Sequence, residues 1–409
     1  MALGDGADDA RLYAAWQVFC TQLEQAGRAI FKDENPHDGM CRVDALRFLT
    51  QNLGQAFDLA LETRDARYPQ LHPLCLPTRK LGSDCADFIY QQAWIDGEHE
   101  YVVRGNVGSV RFLNFTVQAE LTDKNATGTL HEPFCDVPEV NLFGHQLITD
   151  NNGDFELYIG GPERSNNWLP STSRTRKLFV RQGFDRWDEN PATLYIEKVG
   201  EFSSKPLPTV DSFLEAIDWA GGFLLGTMAD WPDFPYQHSP FVDPSRPNCF
   251  PEPPDWEEDA DRKRGRTVAH MCWSLPADEA LIIQFDAHDG FWNITNMGVF
   301  FNSMDFRSRP VSYTPSRVAI DGDGKLRLVL AHRDPGVHNW IDTQGFTQGN
   351  LTYRNLLGNQ ATRFSTRVIK HSKLGESLPP DTTFVSAEQR QAQLQERFRA
   401  IQRRYGIFG

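Results

Sequence analysis

The sequence predicts a mainly β chain, α+β overall, in which an antiparallel β domain occurs twice in tandem. Runs of β-branched and aromatic residues separated by Asn-Gly and Pro-containing turns fill two parts of the chain, and helical periodicity marks the rest. The second β-rich part also repeats motifs of the first in the same order. We expect a helical N-terminal segment at 1–100 that leads into a first β domain at 101–205. A helix with a proline-rich connector should follow at 206–278, then the second β domain at 279–380 and a C-terminal helix at 381–409.

Composition predicts a globular protein and disfavours several kinds of partner. The 409 residues are 40% hydrophobic and 23% charged, which excludes disorder, collagen and a coiled coil as descriptions of the whole chain. The net charge of −14 disfavours nucleic acid and anionic lipid as partners. No apolar run approaches the roughly 18 residues of a membrane span. We therefore expect a soluble protein with a small-molecule ligand, and homo-oligomerisation is left open.

The N-terminus and the cysteines favour a cytoplasmic location. The first residues are acidic where a secretory signal would be basic, and no apolar stretch precedes a cleavage site. The seven cysteines form no C-x-x-C pair, which fits reduced thiols better than a disulfide framework or a zinc site.

Apolar residues at three- and four-residue intervals predict the helices. They lie at 9–31, about 43–63, 209–231 and 386–405. Ser212 with Glu215, and Ser386 with Gln389, have the spacing of a capping box. After the third helix, eight prolines between 232 and 254 exclude a regular ladder and predict an irregular connector.

An internal duplication, at roughly 100–200 and 280–370, predicts the two β domains. NNGDFELYIGG at 151–161 lies over GDGKLRLVLAH at 322–332, and each has a polar-Gly turn before an apolar strand. NNWLP and HNWID follow at corresponding places.

Features present in both copies are expected to serve the shared fold. Trp168 with Trp340 and Arg181 with Arg354 are such pairs, and the tryptophans should occupy equivalent, largely buried positions. Groups present in one copy only are freer to serve a site.

Two stretches resemble a bacterial family pair. SDCADFIYQQAWID at 83–96 is similar to the N-N-D-T-L-Y-x-x-A-W-x-D stretch of domain of unknown function 1254, although serine and cysteine replace asparagine-rich positions. DGFWNITNM through DGDGKLRLVLAHRDPGVHNWIDT resembles its usual partner, domain of unknown function 1214. The resemblance covers roughly 75–375 and implies β-sandwich or jelly-roll domains with scattered hydrolase-like assignments.

Several well-marked enzyme classes are disfavoured. The chain has no G-x-S-x-G elbow, no G-x-x-x-x-G-K-[ST] phosphate loop, no H-E-x-x-H zinc helix and no G-x-G-x-x-G that opens a helix after a strand. No organic cofactor is expected.

The strongest catalytic candidates lie at the end of a strand in the second copy. His332 and Asp334 point to the same side of an extended chain, and a carboxylate beside an imidazole can hold a general base. The first copy has Gly161 where the second has His332. The same residues also suit a D-P-G turn with a histidine bound to backbone groups. With His338 the spacing would allow zinc or iron, but no four-ligand Cys/His set is present and we expect no structural metal.

A second group of candidates precedes and includes the first motif. Asp84 and Asp87 are adjacent carboxylates that could act as a paired acid and base, although loop aspartates often only cap or turn the chain. Lys80 or Arg333 is the expected anchor for an anionic group, and Tyr90 a substrate contact.

The aromatic-rich stretch FWNITNMGVFFNSMDF completes the predicted binding site. Trp292 and Asn296 share one face of its strand, and both faces mix apolar and amide groups as the wall of a semi-polar cavity would. His338 is counted with them as a substrate contact. We place the site in a concave pocket between the second β domain and the segment from Asp84 to Tyr90.

Two functions remain open. The first is a cofactor-independent acid/base enzyme, a hydrolase or lyase, that acts on a mostly apolar small molecule with His332 as base, Asp334 as its orienter and Asp84 or Asp87 as the opposing acid. The second is a non-catalytic binding or scaffold protein for a lipid-like or carbohydrate ligand.

Overall fold

The computed structural model describes residues 6–120, 136–233, 245–253, 268–358 and 361–408. Within these ranges five α-helices accompany the strands. They are α1 (Ala7–Ala29), α2 (Gly39–Phe57), α3 (Val210–Asp233), α4 (Leu374–Ser377) and α5 (Ala387–Tyr405). The predicted proline-rich connector falls largely outside the described residues.

Side-chain caps fix the starts of two helices. The Asp38 carboxylate accepts the backbone N–H of Cys41 at 3.0 Å and starts α2, which continues into a π-helical turn at Asp58–Glu62. At α5 the capping box is confirmed: Gln389 N donates to Ser386 Oγ at 3.2 Å, and Ser386 N donates to Gln389 Oε1 at 2.7 Å.

The capping box predicted for the third helix is wrong. Because α3 begins at Val210, Ser212 lies inside its first turn and its N–H donates to Thr209 Oγ1 at 3.1 Å. Thr209 N donates in return to Ser212 Oγ at 2.9 Å. The reciprocal pair therefore starts three residues earlier than expected, and Glu215 takes no part in it.

The first β domain consists of two sheets. Its strands are β1 (His72–Cys75), β2 (Phe88–Trp94), β3 (Tyr101–Asn106), β4 (Phe112–Glu120), β5 (Asp136–Phe143), β6 (Asp154–Ile159), β7 (Trp168–Leu169), β8 (Thr175–Gly183) and β9 (Thr193–Lys198). One sheet has the order β1-β2-β8-β4-β5 and the other β7-β6-β3-β9. Inward side chains of both sheets form one apolar cluster that includes Phe115, Val180, Val103 and Leu157. The domain is thus a β-sandwich.

The second β domain follows the same plan. Its strands are β10 (Val268–Ser274), β11 (Glu279–Asp286), β12 (Trp292–Met297), β13 (Ser312–Tyr313), β14 (Lys325–Ala331), β15 (Trp340–Asp342), β16 (Gln348–Asn355) and β17 (Ser365–Lys370). The sheets have the orders β10-β16-β12-β13 and β15-β14-β11-β17.

The strand orders of the two domains correspond position by position. β2-β8-β4-β5 corresponds to β10-β16-β12-β13, and β7-β6-β3-β9 to β15-β14-β11-β17. The pairs β6·β7 and β14·β15 are parallel, whereas every other described strand pair is antiparallel. A shared exception of this kind makes independent origins improbable, so the mainly β, duplicated fold with helical flanks is confirmed.

The tryptophans that correspond in the two copies hold equivalent positions but differ in burial. Trp168 Nε1 donates to the carbonyl of Gly160 at 2.9 Å, and Trp340 Nε1 donates to that of Ala331 at 3.0 Å. Trp340 is buried in a cluster that includes Leu374 of α4, whereas Trp168 is only half-buried. The expectation that both are largely buried holds for the second copy alone.

The largest apolar cluster joins the helices to both β domains. It contains Phe48 of α2, Phe223 of α3, Phe88 of β2 and Trp292 of β12. In the part of the chain that the structure describes, no helix is long and apolar enough to cross a membrane.

Candidate functional site

A cavity of about 560 Å³ lies between the outer faces of two sheets, one from each β domain. Its apolar wall is formed mainly by Leu59, Phe88, Tyr90, Phe112, Phe179 and Phe223. Its polar wall includes Asp84, Gln92, Asn114, Asn141, Arg181 and Arg354. A space of this size and mixed lining suits a small organic molecule.

Strand alternation directs two arginines into this cavity. In β8, Val180 points into the first sandwich, so its neighbour Arg181 points outwards to the cavity. In β16, Tyr353 points into the second core, so Arg354 points to the cavity as well. The two guanidinium groups thus reach one space from corresponding strands.

Arg181 is held by the polar face of its own sheet. Its Nη1 donates to Asn114 Oδ1 and Thr116 Oγ1, both at 3.0 Å, and its guanidinium lies 4.4 Å from the centre of the Phe179 ring. Burial, together with the nearby charge of Arg354, lowers the pKa of Arg181 to about 10. The cation is therefore costly to hold in its present surroundings.

Arg354 is held less completely. Its Nη2 donates to the Ser83 carbonyl at 2.6 Å and to Ser83 Oγ at 3.1 Å, but its buried Nη1 has no hydrogen-bond partner among the residues that the structure describes. Only 7% of the residue is exposed. A buried guanidinium N–H without an acceptor is expensive, and this one belongs to a residue on the cavity wall.

The segment that precedes β2 explains why the two arginines differ. Asn293 and Thr295 of β12 correspond to Asn114 and Thr116 of β4. In each copy the asparagine lies opposite the arginine on the neighbouring strand. In the second copy Asn293 does not bind the arginine. Its Oδ1 instead accepts the thiol of Cys85 at 2.9 Å.

This segment is tightly held in a strained backbone. Ser83 has φ +60° and its N–H donates to the carbonyl of Phe301, which has φ +56°. Neither residue is a glycine, and such conformations persist only where the surroundings enforce them. The adjacent Gly82 allows Trp231 to lie against the backbone, since a Cβ there would be 1.8 Å from the indole ring.

Asp84 is an acidic group on the cavity wall, as is Asp136. Its carboxylate accepts the Ser303 N–H at 2.6 Å and also the Ser303 hydroxyl. Lys80 Nζ donates to Ser303 Oγ at 2.8 Å and lies 3.9 Å from the carboxylate. Burial raises the pKa of Asp84 and lowers that of Lys80 to about 8.

Asp87, predicted as its partner, has another environment. It is fully buried, forms an ion pair with Arg317 at 2.6 Å, and accepts the Asn293 amide at 2.7 Å. Burial raises its pKa, but Arg317 and Arg404 more than offset that effect, so the pKa is lowered. Asp87 does not line the cavity that Asp84 lines.

The predicted base and its orienter lie elsewhere. One ring nitrogen of His332 is 2.9 Å from the Leu275 carbonyl and the other is 2.9 Å from Thr343 Oγ1. Asp334 accepts the Gly336 N–H at 2.9 Å, as in the alternative turn interpretation, and forms an ion pair with Arg390 of α5. Neither residue lines the cavity, so the structure does not bring them together with Asp84 there.

The remaining candidates divide between the cavity and other places. Tyr90 lines the cavity. Trp292 and Asn296 are buried in the second domain, where Asn296 accepts the indole N–H of Trp273 at 2.9 Å. Arg333 is exposed, and His338 Nδ1 is 3.0 Å from Gln393 of α5. Among the described residues, no group of three His, Cys, Asp or Glu side chains could hold a metal ion.

The two arginines of the cavity were missed as site residues by the sequence interpretation. Arg181 and Arg354 were expected to serve the fold because both copies have them, yet both line the cavity. The available signal was the Asn-x-Thr pattern in the strand next to each arginine, at 114–116 and 293–295. Two polar side chains on the outer face of a central strand have to face something other than the core.

Comparison with known proteins supports the fold. No protein-family model matches the chain, and no curated protein matches it either. The chain is similar to a solved structure of an uncharacterized protein from Burkholderia cenocepacia, with 28% identity and a TM-score of 0.78, over 89% of this chain and 99% of that one. A solved protein from Vibrio parahaemolyticus is 9% identical with a TM-score of 0.41, over 85% of this chain and 100% of that one. This chain therefore shares the fold of the Burkholderia protein over nearly its whole length.

Proposed function

We propose that the cavity between the two β domains binds a small, mostly apolar molecule that carries one anionic group, such as a carboxylate. The observation that carries the proposal is the pair Arg181 and Arg354 on the cavity wall. Neither forms an ion pair with a carboxylate among the described residues. The third cation of the wall, Lys177, is paired with Asp136.

Electrostatics favour an anion between the two guanidinium groups. Each loses hydration on burial, and the charge of Arg354 disfavours the charged form of Arg181. Asp84 compensates poorly, because its oxygens are bound to Ser303 and it forms an ion pair with Lys80. A carboxylate could accept the free Nη1 of Arg354 and offset the repulsion, since guanidinium and carboxylate form strong charge-assisted hydrogen bonds.

The rest of the wall favours an apolar body for the ligand. Tyr90 stacks between Phe88 and Phe179, with ring centres 5.7 Å and 6.0 Å apart. These rings form a continuous aromatic surface beside Arg181. An aromatic or medium-length aliphatic acid would place its apolar part there, in agreement with the lipid-like ligand of the binding alternative.

A second candidate function is acid/base catalysis on the same ligand, as a hydrolase or lyase. It is favoured by Asp84, a cavity-wall carboxyl group whose burial raises its pKa and suits it to donate a proton. Lys80 and Ser303 would position this group from behind. With a substrate in hand, Asp84→Asn should lower turnover by about 10²- to 10⁴-fold and leave binding intact.

The binding proposal is tested by calorimetric titration with phenylacetate and octanoate and with their neutral amides. We expect the acids to bind and the amides to bind about 10- to 100-fold more weakly, because a hydrogen bond to a charged group contributes about 1.5–3 kcal/mol. Arg354→Gln and Arg181→Gln should each weaken acid binding by a similar factor. Equal affinity for acid and amide, or unchanged affinity in both variants, would contradict the proposal.

The matched control is Arg363→Gln. Arg363 is 73% exposed in its side chain and pairs with the equally exposed Glu252, away from the cavity wall. The Arg363→Gln substitution removes the same charge from the protein as Arg354→Gln. Unchanged ligand binding in Arg363→Gln would therefore show that the loss in the cavity variants comes from a local contact and not from the net charge.

We further propose membership of the family pair of domains of unknown function 1254 and 1214, and a cytoplasmic location. The family is supported by the resemblance of the stretch 83–96 to the motif of domain of unknown function 1254. The location is supported by the six cysteines of the described residues, all of which are free thiols. Cell fractionation tests the location, since we expect the protein in the cytoplasmic fraction.

A further inference from the structure

A second cavity, of about 540 Å³, lies where three parts of the fold meet. The loop after β8 contributes Trp187, the second β domain contributes Arg317 and Tyr313, and helix α5 contributes Gln393 and Arg397. It shares no lining residue with the cavity of the proposed function.

Three arginines surround the ring of Trp187 beside this cavity. Their guanidinium groups lie 4.0 Å (Arg317), 4.9 Å (Arg397) and 5.7 Å (Arg404) from its centre. Burial is the main cause that lowers the pKa of Arg397 and of Arg404 to about 10, and the charge of Arg317 adds to it. A concentration of positive charge is therefore held in a poorly hydrated place.

Within the described residues, only Asp87 forms ion pairs with this arginine cluster. It lies 2.6 Å from Arg317 and 3.8 Å from Arg404. Arg397 has neutral partners instead, since it donates to the carbonyl of Ser312 at 2.9 Å. Asp87 thus pairs with two of the three guanidinium groups, and Arg397 is left without an ion pair among the described residues.

The other acidic groups nearby are engaged or lie at the rim. The Asp185 carboxylate accepts the N–H and hydroxyl of Ser316, and Glu189 accepts the Asp185 N–H. Asp188 pairs with Arg186 at the exposed rim, and Glu396 is exposed. Within the described residues, none of these four acidic groups forms an ion pair with the arginines around Trp187.

Arg317 uses only part of its hydrogen-bonding capacity within the described residues. Its Nε donates to Thr314 Oγ1 at 2.7 Å and its Nη2 forms the ion pair with Asp87, but its buried Nη1 has no hydrogen-bond partner in the described part of the chain. Its side chain is only 7% exposed, and the residue lines the cavity. A guanidinium edge left free inside a cavity is a ready donor to an oxyanion.

We propose that this second cavity binds a small oxyanion, the phosphate group or carboxylate of a free metabolite, at Arg317 and Arg397. The site does not depend on the proposed function of the first cavity. An oxyanion here would contact both β domains and α5, so its binding should stabilise their junction and raise the melting temperature.

The proposal is tested on the full chain by calorimetry and thermal unfolding with inorganic phosphate and with acetate. Chloride at equal ionic strength serves as the reference for general salt effects. We expect saturable binding of at least one oxyanion and a melting temperature that rises with its concentration. Stronger phosphate binding would assign a phosphate group, and stronger acetate binding a carboxylate. Binding of neither would overturn the proposal.

Two variants locate the site. Arg317→Lys keeps a cation for Asp87 but removes the free Nη1, and Gln393→Glu adds a negative charge to the wall at a partly exposed position. Each substitution should weaken oxyanion binding at least tenfold. If Arg317→Lys fails to fold, Gln393→Glu still tests the site. Arg363→Gln, which removes an exposed cation that lines neither cavity, should leave oxyanion binding within twofold. Oxyanion binding that is unchanged in both Arg317→Lys and Gln393→Glu would overturn the proposal.

Discussion

Asp87→Asn should destabilise the protein strongly, because this carboxylate is the buried counter-charge of two arginines. Asp87 has no exposed surface and lies 2.6 Å from Arg317 and 3.8 Å from Arg404. Asparagine keeps the shape and can still bind the Asn293 amide, but it removes the charge. Two guanidinium groups then remain buried without compensation.

The expected cost follows from that loss. Removing one partner of a buried ion pair costs about 3–5 kcal/mol, because the remaining charge has already lost its hydration. The matched control is Asp286→Asn, since Asp286 is 76% exposed and pairs with Lys325 at 3.1 Å. An exposed pair contributes about 0–1 kcal/mol. Guanidinium chloride unfolding of both variants at neutral pH measures the difference.

The pH dependence gives an independent check. Because the folded-state pKa of Asp87 is lowered from 3.8, the folded protein binds its proton less readily than the unfolded chain. Its contribution is present above about pH 4 and is lost as the pH falls through the lower folded value. The gap between wild type and Asp87→Asn should therefore narrow in acid. A cost no larger than that of Asp286→Asn, or a gap independent of pH, would refute the reasoning.

Two further predictions concern Lys80 and the duplicated tryptophans. Burial lowers the pKa of Lys80 from 10.5 to about 8, so the unfolding free energy should rise by about 3 kcal/mol between pH 8 and 10.5, and Lys80→Met should lack this rise in matched urea titrations. Trp340→Ala should cost about 3–5 kcal/mol and Trp168→Ala clearly less, because Trp340 is 8% exposed and Trp168 half-buried. Equal costs in urea unfolding would contradict the burial difference.

Much of the fold could be predicted because its signals are local. Apolar spacing predicted helices at 9–31 and 386–405, close to the observed Ala7–Ala29 and Ala387–Tyr405. The repeated turn-strand pattern predicted the duplication, and the common strand order agrees with it. The capping box predicted for α3 was wrong by three residues, because the helix begins at Val210 and Thr209 precedes its first turn.

The candidate site was predicted only in part because its contacts are distant in sequence. The segment around Asp84 and Tyr90 does line the cavity. His332, in contrast, is bound by the Leu275 carbonyl, 57 residues away, and Asp334 by Arg390, 56 residues away. A histidine and an aspartate on one side of a strand look the same in sequence whether they face a substrate or a neighbouring element.

The two arginines that both copies share, which were expected to serve the fold, also line the cavity. Both copies place an arginine opposite an Asn-x-Thr strand, so the pattern by itself is structural, and Arg181 still binds Asn114. In the second copy, Asn293 accepts the thiol of Cys85, and Arg354 Nη2 donates to the Ser83 carbonyl. Arg354 Nη1 then has no hydrogen-bond partner among the described residues. On the proposed function, a group present in both copies acquires a separate role when a segment unique to one copy binds its hydrogen-bond partners. The difference between the copies lies in those partners, and it is there that a functional site in a duplicated fold is to be sought.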